Sequence, residues 1–358
     1  MSQSLTREAV LEALRGVKDP ELGRDLLELG MVKDVNIDGP DVELVVELTT
    51  PACPLKGQIE RDITAALKTK LPAVQGVRVQ FTAQVRGMQR GQLEGVKHAI
   101  AVGSGKGGVG KSTIAVTVAL ALHRHGARVG LLDADIYGPS VPVLLGIKDR
   151  PTVVQQRIQP VEAGGIPVMS MGFLIPEHEA VIWRGPMLHG AIQQFLHNVD
   201  WGELDYLIID LPPTTGDVPL SLAQLLPLTG AVVVCTPQDV ALADALRAIT
   251  AFRKLKIELL GIVENMSYFL CPHCGERTEI FGTGGARQLA DSQDVPFLGA
   301  VPVNLDLRRL GDAGKLDELF RDGHPMREPL MELAGQLAAR ISVLSDRQQR
   351  LPKLEIIG

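Results

Sequence analysis

Short, continuously apolar runs recur along the last two-thirds of the chain, at residues 99–102, 129–132, 206–209, 231–234, 259–263 and 297–301, separated by polar and helix-spaced stretches. Runs of this kind suit inner strands of a parallel sheet, because helices on both faces leave neither side of the strand to water. The alternation over residues 97–345 predicts an α/β domain with a mostly parallel sheet covered by helices on both faces. The first part of the chain reads differently. Residues 5–17 have helical spacing, 32–37 and 42–49 read as strands around the polar turn 38–41, and 77–81 as another strand. Leu55, Ile59, Ile63 and Leu67 recur every four residues, which puts them on one helix face. Together they predict a small α/β domain over residues 1–83. Residues 84–96 are polar and contain Gly87, Gly91 and Gly95, which reads as a linker, and 346–358 read as a C-terminal tail.

Composition changes this picture little. The 358 residues leave room for two domains, and 45% hydrophobic with 22% charged residues is ordinary for a globular protein. A net charge of −6 with no basic stripe argues against a nucleic-acid partner. No stretch approaches the about 18 apolar residues of a membrane span, and the N-terminus has no apolar signal segment, so the expectation is a cytoplasmic protein without a membrane partner. Four cysteines are too few to staple a chain this long, so a clustered pair points to metal or redox chemistry.

Between the first apolar run and a helix expected over 113–125, residues Gly105, Lys106, Gly107, Gly108, Val109, Gly110, Lys111 and Ser112 fit the phosphate-loop pattern G-x-x-x-x-G-K-[ST]. In such a loop backbone N–H groups close around phosphates, the lysine at 111 reaches the β- and γ-phosphates, and the Ser112 hydroxyl ligates Mg²⁺. Thr113 opens the helix whose N-terminus adds partial positive charge. The expected cofactors are ATP and Mg²⁺. Phosphoryl transfer also needs carboxylates beside the metal and the attacking water, and acidic residues follow two of the apolar runs. Asp210 is assigned to the metal shell, Asp135 to the water, and Asp133 to a supporting metal contact.

Cys271 and Cys274 form a C-x-x-C pair. Paired thiolates suit an iron–sulfur cluster, zinc or thiol exchange. The polar residues 275–279 that follow do not open an amphipathic helix, so a loop or ribbon is expected, with His273 a loop residue. Two ligands per chain become four across a two-fold axis, which points to a labile group bridging a homodimer. Cys235 ends an apolar run and reads as a buried hydrophobe. Cys53 precedes Pro54 at the start of the helix carrying Ile59, where the helix dipole is expected to lower its thiol pKa, making it a candidate reactive thiol.

The run K-G-G-x-G-K-S at 106–112 resembles the deviant-lysine branch of phosphate-loop ATPases, in which the lysine at Lys106 crosses a dimer interface to nucleotide in the partner. More closely, 105–112, Asp133-Ala134-Asp135-Ile136-Tyr137-Gly138-Pro139-Ser140, Trp183-Arg184-Gly185-Pro186-Met187, Asp210-Leu211-Pro212-Pro213, Glu264-Asn265-Met266-Ser267 and Cys271-Pro272-His273-Cys274 resemble, in order and spacing, the Mrp/ApbC family. Asp19-Pro20-Glu21 and 49–54 resemble the small iron–sulfur assembly domain fused ahead of many of its bacterial members. The resemblance implies an iron–sulfur cluster carrier ATPase that hydrolyses ATP slowly. It further implies a [4Fe–4S] cluster on Cys271 and Cys274 of two subunits, and exchange with scaffold proteins and apo iron–sulfur proteins. It also implies Asn265 at an adenine edge, with Pro302 and Val303 packing on the base. Thr214 stands where the family usually has glycine after D-x-P-P. Two rival classes share the loop. A MinD/ParA-like positioning ATPase needs a basic amphipathic tail, and 351–358 carry little charge. An ATP-driven electron donor similar to nitrogenase iron protein uses more widely separated cysteines.

Overall fold

The computed structural model describes residues 5–87, 93–136, 138–174, 190, 193–195, 197–213 and 226–350. Tyr137, the segment Trp183 to Met187, Thr214, residues 88–92 of the linker and the last eight residues lie outside that set. The chain divides into two compact units, residues 1–86 with 338–358, and residues 87–337.

In the first unit, α1 (Arg7–Leu14) starts at Thr6, whose hydroxyl accepts from Ala9 N at 3.2 Å and so satisfies one free donor of the first turn. Strands β1 (Val32–Asp38) and β2 (Asp41–Leu48) make a hairpin around Gly39, and β3 (Gly76–Ala83) pairs parallel to β2. The alternation in β2 buries Val42, Leu44, Val46 and Leu48 on one face. Helix α2 (Lys56–Lys70) covers that core with Ile59, Ile63 and Leu67, all fully buried. The four-residue spacing of the sequence is met there, except that Leu55 caps the helix from outside.

The second unit is built on one sheet. Its strands are β4 (Val96–Ser104), β5 (Val129–Asp133), β8 (Val161–Ala163), β9 (Ile166–Ser170), β10 (Leu204–Asp210), β11 (Gly230–Cys235), β12 (Leu259–Leu270) and β13 (Arg277–Thr278), in the order β13-β12-β11-β4-β10-β5-β9-β8, with β14 (Phe297–Val303) also on β12. A separate hairpin is formed by β6 (Thr152–Val154) and β7 (Arg157–Gln159). Pairings from β14 through β9 are parallel; β8 and β13 join antiparallel. The central strands β4, β5, β10 and β11 are almost wholly buried, as their unbroken apolar character requires. Helices α3 (Lys111–Arg124), α4 (Val141–Leu144), α5 (Asp239–Lys254), α6 (Gly285–Ser292), α7 (Leu305–Asp312) and α8 (Arg327–Arg350) complete the described elements of regular α-helix. The α/β expectation is met. Helix α3 begins two residues earlier than expected, directly at the loop lysine, and α8 continues past residue 346 to Arg350. Among the described residues no helix is long and apolar enough to cross a membrane.

Candidate functional site

Parallel strands that start together end together, so their last residues share one rim. The register sets Asp210 beside Asp133 and Asp133 beside Ser170, across β10, β5 and β9. Each of these three is fully buried. Asp133 is held by the protein on both oxygens: Oδ1 accepts from Asp135 N at 3.1 Å, and Oδ2 from Ser170 Oγ at 2.9 Å and Val141 N at 3.2 Å. Burial, with the neighbouring charge of Asp210, pushes its carboxyl up to about 7. These bonds tie Asp133 to Asp135 and Val141 further along the chain and to Ser170 on the neighbouring strand. Ser170 completes the bracket by accepting from Gly172 N at 3.0 Å.

Lys111 is the cation of this rim. Its Nζ donates to Asp210 Oδ1 at 2.5 Å and to Ser112 Oγ at 3.2 Å, and lies 3.7 Å from Asp135 Oδ2. Burial raises Asp210 against the pull of that lysine. Its other oxygen, Oδ2, is buried with no hydrogen-bond partner among the described residues, a donor atom that fits a hard cation or its water. Asp135 also accepts from Gly138 N at 3.2 Å through Oδ1. The residues assigned to metal and water thus meet at one place, around the loop lysine.

The loop itself is seated by its neighbours. A side chain at Gly105 would collide with the backbone of Asp244 on α5, so the loop rests directly on that helix. Gly110 has φ 80, caps α3, and a Cβ there would run into Asn265 Nδ2. Asn265 Nδ2 donates to Val109 O at 2.8 Å, while its Oδ1 is buried without a partner among the described residues. Pro302 and Val303 end β14, alongside β12. Lys106 is half-buried, and its carbonyl accepts from Ser104 Oγ at 2.9 Å.

Cys271 and Cys274 occupy the turn of the β12–β13 hairpin, closed by Cys271 N to Glu276 O at 2.9 Å and Gly275 N to Cys271 O at 2.8 Å. Both thiols are free. The backbone N–H groups of Cys274 and His273 point at the Cys271 sulfur and hold its pKa below the usual thiol value. The expected ribbon is present, with both cysteines on its turn.

Cys53 behaves oppositely. Its Sγ donates to Glu21 Oε1 at 3.2 Å, and burial together with that carboxylate drives its pKa well above the ordinary thiol value. The Leu55 N–H at the helix start pulls the other way and is outweighed, which corrects the lowered pKa expected from the dipole alone. Asp19, also buried, accepts from Glu21 N and Leu22 N, so the Asp19-Pro20-Glu21 turn is what aims Glu21 at the thiol. Cys235 is buried, as expected, and pushed up to about 12 by burial and Glu264.

A family profile described as the NUBPL iron-transfer P-loop NTPase matches residues 95–338. The chain belongs to this family. A second profile, described as an iron–sulfur cluster assembly protein, matches residues 7–81. An iron–sulfur cluster carrier protein of Deinococcus radiodurans is 52% identical over 351 residues, covering 97% of this chain and 99% of that one. The iron–sulfur cluster transfer protein NUBPL of Dictyostelium discoideum is 44% identical over 261 residues, 72% of this chain and 81% of that one. Among solved structures, a nucleotide-binding protein from Archaeoglobus fulgidus in complex with ADP shares 44% identity at a TM-score of 0.58, covering 65% of this chain and 94% of its own. The cell division ATPase MinD of Pyrococcus furiosus, at 20% identity, TM-score 0.50 and 67% and 97% coverage, shares the fold alone.

Within this NUBPL-type chain Ser112, Asp135 and Asp210 gather around Lys111, Cys271 and Cys274 share one hairpin turn, and Cys53 lies apart from both in the first unit. Two further residues bond to side chains singled out from sequence without a clear signal of their own. Ser170 follows an ordinary apolar run, and only strand register puts it beside Asp133. Glu21 carries no signal except its place in the Asp-Pro-Glu turn, and its reach to Cys53 spans 32 positions.

Proposed function

We propose that this chain is an iron–sulfur cluster carrier of the P-loop NTPase type. It binds ATP with Mg²⁺ at residues 105–113, hydrolyses it slowly, and carries a [4Fe–4S] cluster between two copies. The observation that carries this reading is the Cys271–Cys274 hairpin: two free thiols on one turn, with backbone N–H groups trained on one sulfur, half of a four-thiolate site. A second copy supplies the other half, and Lys106 acts across that contact. The cluster is cargo, taken from scaffold proteins and handed to apo iron–sulfur proteins.

At the nucleotide site the orphaned Asp210 Oδ2 and the Ser112 hydroxyl would hold Mg²⁺, which supplies charge neutralisation at the phosphates. Lys111 is positioned to exchange Asp210 for phosphate oxygens, and Asp135 to orient water. The free Asn265 Oδ1 offers an acceptor for a base amine. Asp133 and Ser170 keep the loop bearing Asp135 in place.

The test is transfer. Protein reconstituted anaerobically with iron and sulfide is mixed with an apo-protein that has a four-cysteine cluster site, and cluster arrival is followed by the acceptor's circular dichroism. Arrival supports the reading; a stably retained cluster, or a stoichiometric zinc in its place, contradicts it. In parallel, Lys106→Ala is expected to lower ATP turnover while nucleotide affinity is kept.

A further inference from the structure

Strand β12 runs from its pairing with β11 to the cysteine turn, and three residues on it, Glu264, Asn265 and Ser267, bond in two directions. Asn265 faces the phosphate loop through its 2.8 Å bond to Val109 O. Glu264 and Ser267 face the hairpin base. Glu264, buried, accepts from Ser267 Oγ at 2.5 Å, from Gly284 N at 3.0 Å and from Ala286 N at 2.8 Å, tying the strand to the start of α6. The Ser267 hydroxyl lies 3.1 Å from Thr283 Oγ1, which also accepts from Arg277 Nη2 at 3.3 Å, and the Arg277 guanidinium lies 4.1 Å from the Tyr268 ring. Residues 267 and 283 are therefore joined at the base of the segment that carries both cysteines, which is held further by Phe269 against Val303 of β14 and by the β12–β13 pairing. Between the two sets of bonds sits Met266, with φ 55, a backbone state that a residue with a side chain adopts only when its surroundings enforce it. The β12–β14 register also shifts between Asn265 and Phe269. The strand is thus locally irregular where its two attachments meet, as bulged strands are beside functional sites.

We propose that Glu264, Ser267 and Thr283 are positioning residues for the cysteine pair, linked through Asn265 to nucleotide occupancy of the phosphate loop. The inference rests on the reading of Cys271 and Cys274 as cargo ligands. Filling the loop with phosphate draws Lys111 from Asp210 and reseats the backbone at Val109 and Gly110, which Asn265 touches. The displacement passes along β12 to the clamp at 264, 267 and 283, and from there to the hairpin. The coupling needs no second copy, because all its contacts lie within one chain.

Amide exchange followed by mass spectrometry on the full, metal-free chain, with and without saturating ADP and Mg²⁺, tests this. In the wild type ADP is expected to change exchange in 268–283 by about fivefold or more, the low end of ordinary coupling. Ser267→Ala and Thr283→Val, two small changes at side chains that bond toward the hairpin base, should keep ADP affinity and protection at 105–113 but lose the hairpin response. A wild-type hairpin indifferent to ADP, or a full response in both variants, overturns the proposal. Failure of the cargo reading would show separately, as iron retained by Cys271→Ala, and the exchange result stands apart from it.

Discussion

Lys111 and Asp210 form a buried ion pair, Nζ to Oδ1 2.5 Å, with side chains 6% and 0% exposed. The lysine that a phosphate loop keeps for nucleotide is thus engaged by the carboxylate assigned to the metal. Charges removed from water are tolerated only when paired, so each of these two side chains depends on the other.

Lys111→Ala is expected to cost about 3–5 kcal/mol of folding stability as well as nucleotide binding, because it strands the Asp210 charge. Adding Asp210→Asn should recover a large part of that loss without restoring binding. Urea unfolding of the two single variants and the double variant measures the coupling. Additive losses would show that the pair contributes nothing.

Asp133 sets a pH dependence. Its carboxyl titrates near 7 in the folded chain and near 3.8 when unfolded. Between those values the folded state holds a proton that the unfolded state has lost, so stability falls as pH rises through the window and levels off above about 7. Denaturant midpoints of the ligand-free protein at about pH 5 and about pH 8 should show the drop, and Asp133→Asn should remove most of it. A midpoint that rises with pH over this range is the opposite outcome.

Cys53 should be the slow thiol of the exposed and half-buried set. With burial and Glu21 both opposing ionisation, iodoacetamide should modify it well after Cys271 in metal-free protein. Glu21→Gln removes one of the two causes and should speed the reaction at Cys53. Peptide mapping that found Cys53 modified first would return it to the role that its helix position alone suggests.

The sheet and the phosphate-binding rim are legible in the order of amino acids. Unbroken apolar runs mark covered strands, and loop, lysine and acidic strand ends follow from spacing, so the rim around Lys111 can be read down to Asp210 and Asp135. The rest depends on register and long-range reach. Nothing local to Asp133 shows that Ser170 and the Val141 amide bond its second oxygen. The thiol of Cys53 reads as activated because a helix start is visible in sequence, whereas Glu21 approaches from a separate turn. Likewise Glu264 reads as part of a motif, but its donors are Ser267 on its own strand and Gly284 and Ala286 beyond the hairpin.

The central claim is that Cys271 and Cys274 are half of a shared cluster site, and iron analysis with visible absorption after anaerobic reconstitution tests it most directly. The wild type should hold about one [4Fe–4S] cluster per pair of chains, since such clusters take four thiolates. Cys271→Ala and Cys274→Ala should each lose it, because symmetry removes two ligands at once, while both still bind ADP. A full cluster in either variant would contradict the claim.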